Sequence, residues 1–350
     1  MKKTSVLVVA LALLMSVTAF AQKKAKNVIV LIGDGTGLAQ LYAGYEANNH
    51  FLNIYTMPHT ALSKTSCTNK RVTDSGAGGT AIACGQKTHE YAIGVDANDK
   101  PITSMLEIAK QRGKRTGILV SCDVCHATPA SFMAHVPNRN MMEEIAEFYL
   151  QDNVDIFMGG GKKRFDQRKD GRNLIDSLKN HGYEVVFNEQ EMFNTKTQKI
   201  AGLFAENYMP LFKERGNILQ NALTLTLSRL NQNNKKGFFL MFEGSQIDSK
   251  AHDNDYEAML GEIKDFDECV RIALDFAKKD GNTLVVVTAD HETGGLTIND
   301  DGKAGTMPKW STGWHTGVPV IIYAYGPGSE NFHGVIENNE TFDIIMKAMK

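Results

Sequence analysis

Apolar runs of strand length alternate along the chain with amphipathic stretches of helical length, which predicts a β-α-β-α order. Strands are expected at residues 27–32, 115–121, 153–158, 183–187, 237–242, 283–288 and 318–323. Several are apolar on both faces, as strands are when helices cover a parallel sheet on either side. Helices expected at 38–48, 104–112, 217–230 and 256–278 supply that cover. In the last, Tyr256, Met259, Leu260, Ile263, Phe266 and Val270 recur at helical spacing and are read as core contacts. The expected fold is α/β, three-layer α/β/α, with a central mostly parallel sheet. No Pro/Ser-rich linker, low-complexity tract or solenoid repeat divides residues 22–350, so one domain is expected. Two polar stretches, 159–164 and 299–312, read as solvated loops.

The first residues change the picture of where the protein works. Lys2 and Lys3 precede an apolar stretch over residues 6–20 that ends in Ala19-Phe20-Ala21, the pattern of a secretory signal peptide spanning 1–21. The stretch is shorter than the ~20 apolar residues that span a bilayer, and no later stretch is long and apolar enough. An exported protein, periplasmic or secreted and without a membrane span after signal removal, is expected. Its five cysteines, Cys67, Cys84, Cys122, Cys125 and Cys269, allow at most two internal bridges, and the sequence assigns no pairing.

Composition sets further bounds. The 350 residues are 42% hydrophobic and 22% charged, enough to bury a large core and too apolar for a disordered chain. With 38 Lys+Arg against 40 Asp+Glu and no basic block, the electrostatic pull that nucleic-acid binding needs is missing. Nucleic acid is not an expected partner.

Candidate chemistry gathers where the strands end, the edge at which open parallel sheets bind ligands. Asp34 follows the first strand, Thr128 lies shortly after 115–121, Glu243 follows 237–242, and Asp290 with His291 follows 283–288. Any one of these is ordinarily a helix cap or a solvated turn; the joint pattern is harder to dismiss. Asp248 and His252, four apart, share a face if that stretch is helical and can grip one metal ion. His315 would complete a three-ligand site with an open position, as a catalytic zinc requires. Thr73-Asp74-Ser75-Gly76-Ala77-Gly78-Gly79 reads as a turn into a helix whose small residues admit an anion to the backbone N–H groups. A divalent metal touching the Ser75 oxygen would activate it without a histidine base.

Taken together, Ile32-Gly33-Asp34-Gly35, Thr73-Asp74-Ser75, Ala127-Thr128-Pro129-Ala130, Glu243-Gly244, Ile247-Asp248, Thr288 through Gly295 and Trp314-His315-Thr316-Gly317 resemble the motifs of the alkaline phosphatases, in that family's order over residues 27–325. Gly159 to Phe165 also resembles a family loop. The resemblance implies hydrolysis of small phosphate monoesters through a phosphoserine intermediate on Ser75. Arg139 becomes the phosphate clamp and Asp74 the residue that orients it. One zinc falls to Asp248, His252 and His315, and a second to Asp34, Asp290, His291 and the Ser75 oxygen. A third ion, of magnesium type, falls to Asp34, Thr128 and Glu243. A homodimer is implied as well. The donor chemistry agrees: oxygen ligands suit magnesium, mixed imidazole and carboxylate ligands suit zinc, and a guanidinium fork matches two phosphoryl oxygens.

His126 stands where some members carry a carboxylate near the third ion, and Ser249 where some carry lysine or histidine, so the third metal is left open. Only 23 residues separate His291 from His315, which leaves no room for a large accessory insertion and places Trp310 or Trp314 near the mouth of the site. Phosphodiesterase or sulfatase chemistry on the same metal architecture is the nearest rival reading. Cys122-Asp123-Val124-Cys125-His126 also matches the C-x-x-C-H haem-attachment pattern of an electron carrier. Gly33-Asp34-Gly35-Thr36-Gly37 invites a dinucleotide reading, but its spacing differs and a carboxylate sits where a pyrophosphate would approach.

Overall fold

Every residue of Asn27–Gly33 is buried, and this strand, β1, runs through the interior of a large sheet. The structure is a computed structural model that describes residues 23–300 and 306–350. The signal-peptide reading of 1–21 therefore lies outside the described residues. After β1 come β2 (His59–Lys64), β3 (Arg115–Asp123), β4 (Ile156–Gly160), β5 (Glu184–Val186), β6 (Ile200–Leu203), β7 (Phe238–Gly244) and β8 (Thr283–Thr288). The short strands β9 (Glu292–Thr293), β10 (Thr297–Asp300), β11 (Thr306–Lys309) and β12 (His315–Thr316) follow, then β13 (Val320–Tyr325) and β14 (Val335–Glu337).

Ten of these form one sheet in the order β14-β2-β13-β8-β1-β7-β3-β4-β6-β5. Only β13 runs against its neighbours β2 and β8. β1 is paired in parallel with β7 on one side and β8 on the other, which sets the ends of three apolar strands side by side.

The alternation of side chains along β1 divides the core in two. Val28, Val30 and Ile32 pack on one face with Met105, Leu106, Ile145 and Ile345. Ile29 and Leu31 pack on the other with Leu41, Leu223, Met259, Ile263 and Phe266. Helices thus cover both faces, and the three-layer arrangement expected from the sequence holds. The longest helix, Tyr256–Asp280, starts at an Asp255 cap that accepts from Ala258 N and stops at Gly281, whose φ of 67° ends the α-helical run. Its periodic apolar positions are core contacts, as predicted.

Several elements escape the periodicity. β2 buries only alternate positions near one edge of the sheet, β6 is four residues with an internal glycine, and β14 has three. β4 and β13 lie two to three residues downstream of their predicted starts. The 159–164 stretch is not a solvated loop. Gly159 and Gly160 end β4 in full burial, and a Cβ on Gly160 would come within 1.9 Å of the Asn207 carbonyl oxygen. Gly161, at φ +93°, turns the chain so that Arg164 reaches the buried Asp123. Within 299–312, the described residues include parts of the β10–β11 hairpin, so that segment is not wholly irregular either.

Candidate active site

The run Gly76-Ala77-Gly78-Gly79 forms the first turns of the helix Ser75–Cys84, which starts within the core and is buried throughout. Asp74 caps it, accepting from the backbone N–H of Gly76 and Ala77, each at 3.1 Å. The same carboxylate accepts from Tyr91 N at 3.0 Å and from Arg139 Nη1 at 2.9 Å. Burial works against the charge on Asp74, but Arg139 and the backbone donors outweigh it and hold the carboxyl below its ordinary range. Arg139 Nη2 lies 2.9 Å from His126 Nε2. Burial, with Arg139 beside it, pushes His126 down to about 3, so the ring is neutral and its Nε2 accepts.

Ser75 Oγ lies 3.2 Å from His291 Nε2. That nitrogen is 3.6 Å from Asp34 Oδ1 and 3.3 Å from Asp290 Oδ2, with all three side chains fully buried. β1 delivers Asp34 and β8 delivers Asp290 and His291, neighbours because β1 and β8 pair in parallel. A second group forms on the helix Gln246–His252, where Asp248 and His252 share a face. His252 Nε2 is 3.3 Å from Asp248 Oδ2, and His315 Nε2 is 3.7 Å from Asp248 Oδ1. β9 pairs with β12 and thereby brings His315 beside the end of β8. The rings of His291 and His315 stack with centroids 3.5 Å apart.

Both groups fit divalent cations on the structure's own terms. Each offers ligand atoms within 4.8 Å of one another. Both Asp34 oxygens and Asp290 Oδ2 are buried with no hydrogen-bond partner, as are Thr128 Oγ1 and Glu243 Oε1. Such atoms are costly unless something positive meets them. Nδ1 of His252 donates to the Gly313 carbonyl and Nδ1 of His315 to the Thr73 carbonyl, each at 2.8 Å. Their Nε2 atoms, 3.1 Å apart, are thus aimed at one another and at Asp248. Outer hydrogen bonds that fix tautomer and ring direction in this way are what metal-ligating histidines make.

The electrostatics agree. Burial, then Asp290, Asp248 and Glu243, drive Asp34 well above its ordinary range. Burial raises Glu243 to about 7 and Asp290 to about 6. Burial also disfavours charge on Asp248, yet His252, His291 and His315 more than offset it and hold that carboxyl low. His291 and His315 are pushed down to about 4 by burial, leaving neutral imidazoles. Clustered carboxylates with neutral imidazoles form a site that divalent cations neutralise.

The cleft above these groups holds about 410 Å³ and is lined by Ser75, Arg139, Asp248, His252 and His315, among others. Tyr91, Tyr208, Asn140 and Met142 also line it; no residue pattern marks them, although Asn140 and Met142 follow closely on Arg139. Trp314 is the tryptophan at the mouth, half exposed and stacked on His315, whereas Trp310 packs against Gly294 within its loop. Ser249 lines the cleft beside Asp248. Further partners carry no mark in the sequence: Thr293 Oγ1 donates to Asp248, and Glu292 accepts from Gln40 Nε2 at 2.7 Å and from Thr316. Cys122, on β3, sits 3.5 Å from Glu243 Oε2.

The haem-carrier and dinucleotide readings lose their residues. All five cysteines are buried free thiols, so no disulfide forms. Cys122 and Cys125 are packed in the core and His126 faces Arg139, which leaves the C-x-x-C-H stretch no room to attach a haem. Asp34 is fully buried beside His291, where no pyrophosphate can approach.

The family model described as alkaline phosphatase matches residues 25–309 and 299–350. Alkaline phosphatase 4 of Bacillus subtilis (strain 168) is 37% identical, over 93% of this chain and 89% of its own. The structure of alkaline phosphatase from the Antarctic bacterium TAB5 is 39% identical with a TM-score of 0.88, covering 93% of this chain and 98% of that one. A variant of that protein with a histidine replaced by aspartate, solved with magnesium in its M3 site, is 40% identical with a TM-score of 0.89 over the same shares. The chain belongs to the alkaline phosphatase family. It is a metal-dependent hydrolase that cleaves small phosphate monoesters. Among the described residues no helix is long and apolar enough to cross a membrane.

Proposed function

We propose that Ser75 is the nucleophile, that Arg139 clamps the phosphoryl group under the direction of Asp74, and that the two clusters each hold a zinc ion. One zinc would rest on Asp248, His252 and His315, the other on Asp34, Asp290, His291 and the Ser75 oxygen. A third divalent cation would rest on Glu243 with Thr128 and Asp34. The observation that carries this reading is the Ser75 Oγ itself, 3.2 Å from His291 Nε2 at the start of a glycine-rich helix.

Bound there, the cations would lower the pKa of the serine hydroxyl and offset charge on the oxygens that surround phosphorus. The chain's own residues supply the rest. Arg139 spends one N–H on Asp74 and one on His126, and its remaining donors can meet two phosphoryl oxygens. The dipole of the Ser75–Cys84 helix favours the same anion, although the N–H groups of Gly76, Ala77 and Gly78 are already taken by the Asp74 carboxylate and carbonyl. Ser75 Oγ attacks phosphorus, the O–P bond forms as the ester P–O bond breaks, and the alcohol departs with the proton that Ser75 gives up. Water then cleaves phosphoserine, returning the hydroxyl and releasing inorganic phosphate. The cleft mouth is open to solvent and Trp314 is its exposed wall, which supports broad acceptance of alcohol groups.

The same reading treats residues 22–350 as one catalytic domain, exported after loss of residues 1–21, and paired as the homodimer that the family resemblance implies. Ser75→Ala tests its core. Turnover of a chromogenic phosphate ester is expected to fall to background while the fold and metal content persist. Turnover within tenfold of the parent would end the proposal.

A further inference from the structure

The cleft carries aromatic rings that the reaction leaves unused. Beside Ser75, His291 stacks on His315 with centroids 3.5 Å apart, and His315 stacks on Trp314 at 5.0 Å, with ring planes only 21° and 12° apart. The three rings make a ladder from the nucleophile to the mouth. Trp314 is the outer rung, 52% exposed, with the His252 ring 5.1 Å away and its own carbonyl accepting from Gly294 N at 2.8 Å. Its backbone is tied down while its ring stays open to the cleft.

Tyr91 lines the same cleft with its ring 39% exposed, on a backbone in the left-handed region at φ 71°. Among the described residues six other non-glycines share that region, and all are Asn, Asp or His, the types that tolerate it best. Tyr91 has no such tolerance. The backbone there is needed: its N–H donates to Asp74 Oδ1 at 3.0 Å and its carbonyl accepts from Arg139 N at 2.7 Å. Glycine would make both bonds without strain. What glycine lacks is the ring in the cleft, and strained residues of this kind gather at ligand sites.

We propose that Trp314 and Tyr91 are specificity-determining walls for an aromatic leaving group, so that this chain favours aryl over alkyl phosphate monoesters. The inference rests on the reading above that Ser75 and Arg139 hold the phosphoryl group, and it concerns only the alcohol. With phosphorus held there, the alcohol projects into the rest of the cleft, where an aryl ring can stack on one wall or meet it edge-on. The open mouth still admits alkyl alcohols, and the rings grade them. The third ring of the cleft, Tyr208, stands edge-on to His126 at 5.6 Å, and His126 bonds Arg139, so it belongs to the phosphoryl end.

The experiment measures competitive inhibition of the holoenzyme by inorganic phosphate, methylphosphonate and phenylphosphonate, none of which it can cleave. Phenylphosphonate should bind about tenfold more tightly than methylphosphonate. The ratio of the two constants cancels any change in the grip on the phosphonate group itself. Trp314→Ala and Tyr91→Gly should each lower that ratio about threefold, and Tyr91→Gly should hold its Tm because glycine adopts φ 71° freely. A ratio near one in the parent, or an undiminished ratio in both variants, would overturn the inference and leave Ser75 and Arg139 in their roles. No inhibition by inorganic phosphate would overturn the phosphoryl assignment and the inference with it. Should Trp314→Ala fail to fold, fluorescence of the parent decides. Of its two tryptophans Trp310 packs against Gly294, so a nitrophenylphosphonate should quench Trp314 where methylphosphonate does not. An equal response to both refutes the wall.

Discussion

Asp74 Oδ2 accepts from Arg139 Nη1 at 2.9 Å while the same carboxylate caps the helix that begins at Ser75, so one side chain fixes the guanidinium of Arg139 relative to the Ser75 hydroxyl. Asp74→Asn keeps an acceptor for the backbone N–H groups but removes the charge that aims the guanidinium. Because Arg139 then loses its charge-assisted partner, competitive inhibition by inorganic phosphate should weaken about tenfold, consistent with ~1.5 kcal/mol for such a bond. The change should fall mainly on KM, with kcat altered less. Steady-state kinetics with phosphate as inhibitor check this, and an unchanged inhibition constant would contradict the role given to Asp74.

The Arg164–Asp123 pair predicts a stability effect away from the reaction. Asp123 is 1% exposed and accepts from Arg164 Nε at 2.8 Å and from Cys125 N at 2.9 Å. Arg164→Met would strand that carboxylate near the end of β3, at a cost of about 3 kcal/mol. Urea unfolding should show a lower midpoint with an unchanged slope. A midpoint equal to the parent's would mean that water replaces the guanidinium without loss.

The sequence made the frame of the site legible because strand-length apolar runs end in Asp34, Glu243, Asp290 and His291, and parallel pairing of β1 with β7 and β8 then sets those ends side by side. It made Asp248 and His252 legible through their helical spacing. What it hid were contacts that cross between elements. Nothing local marks Cys122 as a neighbour of Glu243, or Thr293 as the donor to Asp248, since register between distant strands decides both. The 159–164 stretch misled for a related reason. Its glycines signal a turn, yet they serve close packing against Asn207 and Asp123, which only the folded chain brings near. The short strands β6 and β14 carry too few residues for any period to show.

Glu107 and His135 predict a pH dependence of stability. His135 Nε2 lies 3.0 Å from Glu107 Oε1, with Ser104 N donating to the other oxygen and the Phe148 ring edge-on to the imidazole. Burial opposes charge on both, but the bond between them outweighs it, so Glu107 is lowered and His135 is raised. The Glu107 contribution is present above about pH 4.5 and is lost as pH falls through its depressed value. The His135 contribution is present below about pH 6.5 and is lost as pH rises through its elevated value. Glu107→Gln should therefore lower Tm most between those limits and progressively less into the alkaline range. Tm measured against pH for both proteins checks this, and a constant difference across the range would contradict it.

Removal of metal should loosen the fold as well as stop turnover. Asp34, Glu243 and Asp290 are fully buried, and each keeps at least one oxygen without a partner. Ligands that bind only the folded state stabilise it by about 4 kcal/mol at a thousandfold excess over Kd. Chelation should lower Tm by several degrees, and added zinc should restore both Tm and turnover. A Tm indifferent to chelator would contradict the cation sites.

Anomalous scattering from crystals of the zinc-loaded protein, collected at the zinc edge, tests the central claim most directly. The account predicts one strong peak among Asp248, His252 and His315 and another among Asp34, Asp290, His291 and the Ser75 hydroxyl. Crystals of fully active protein with no peak at either position would contradict it.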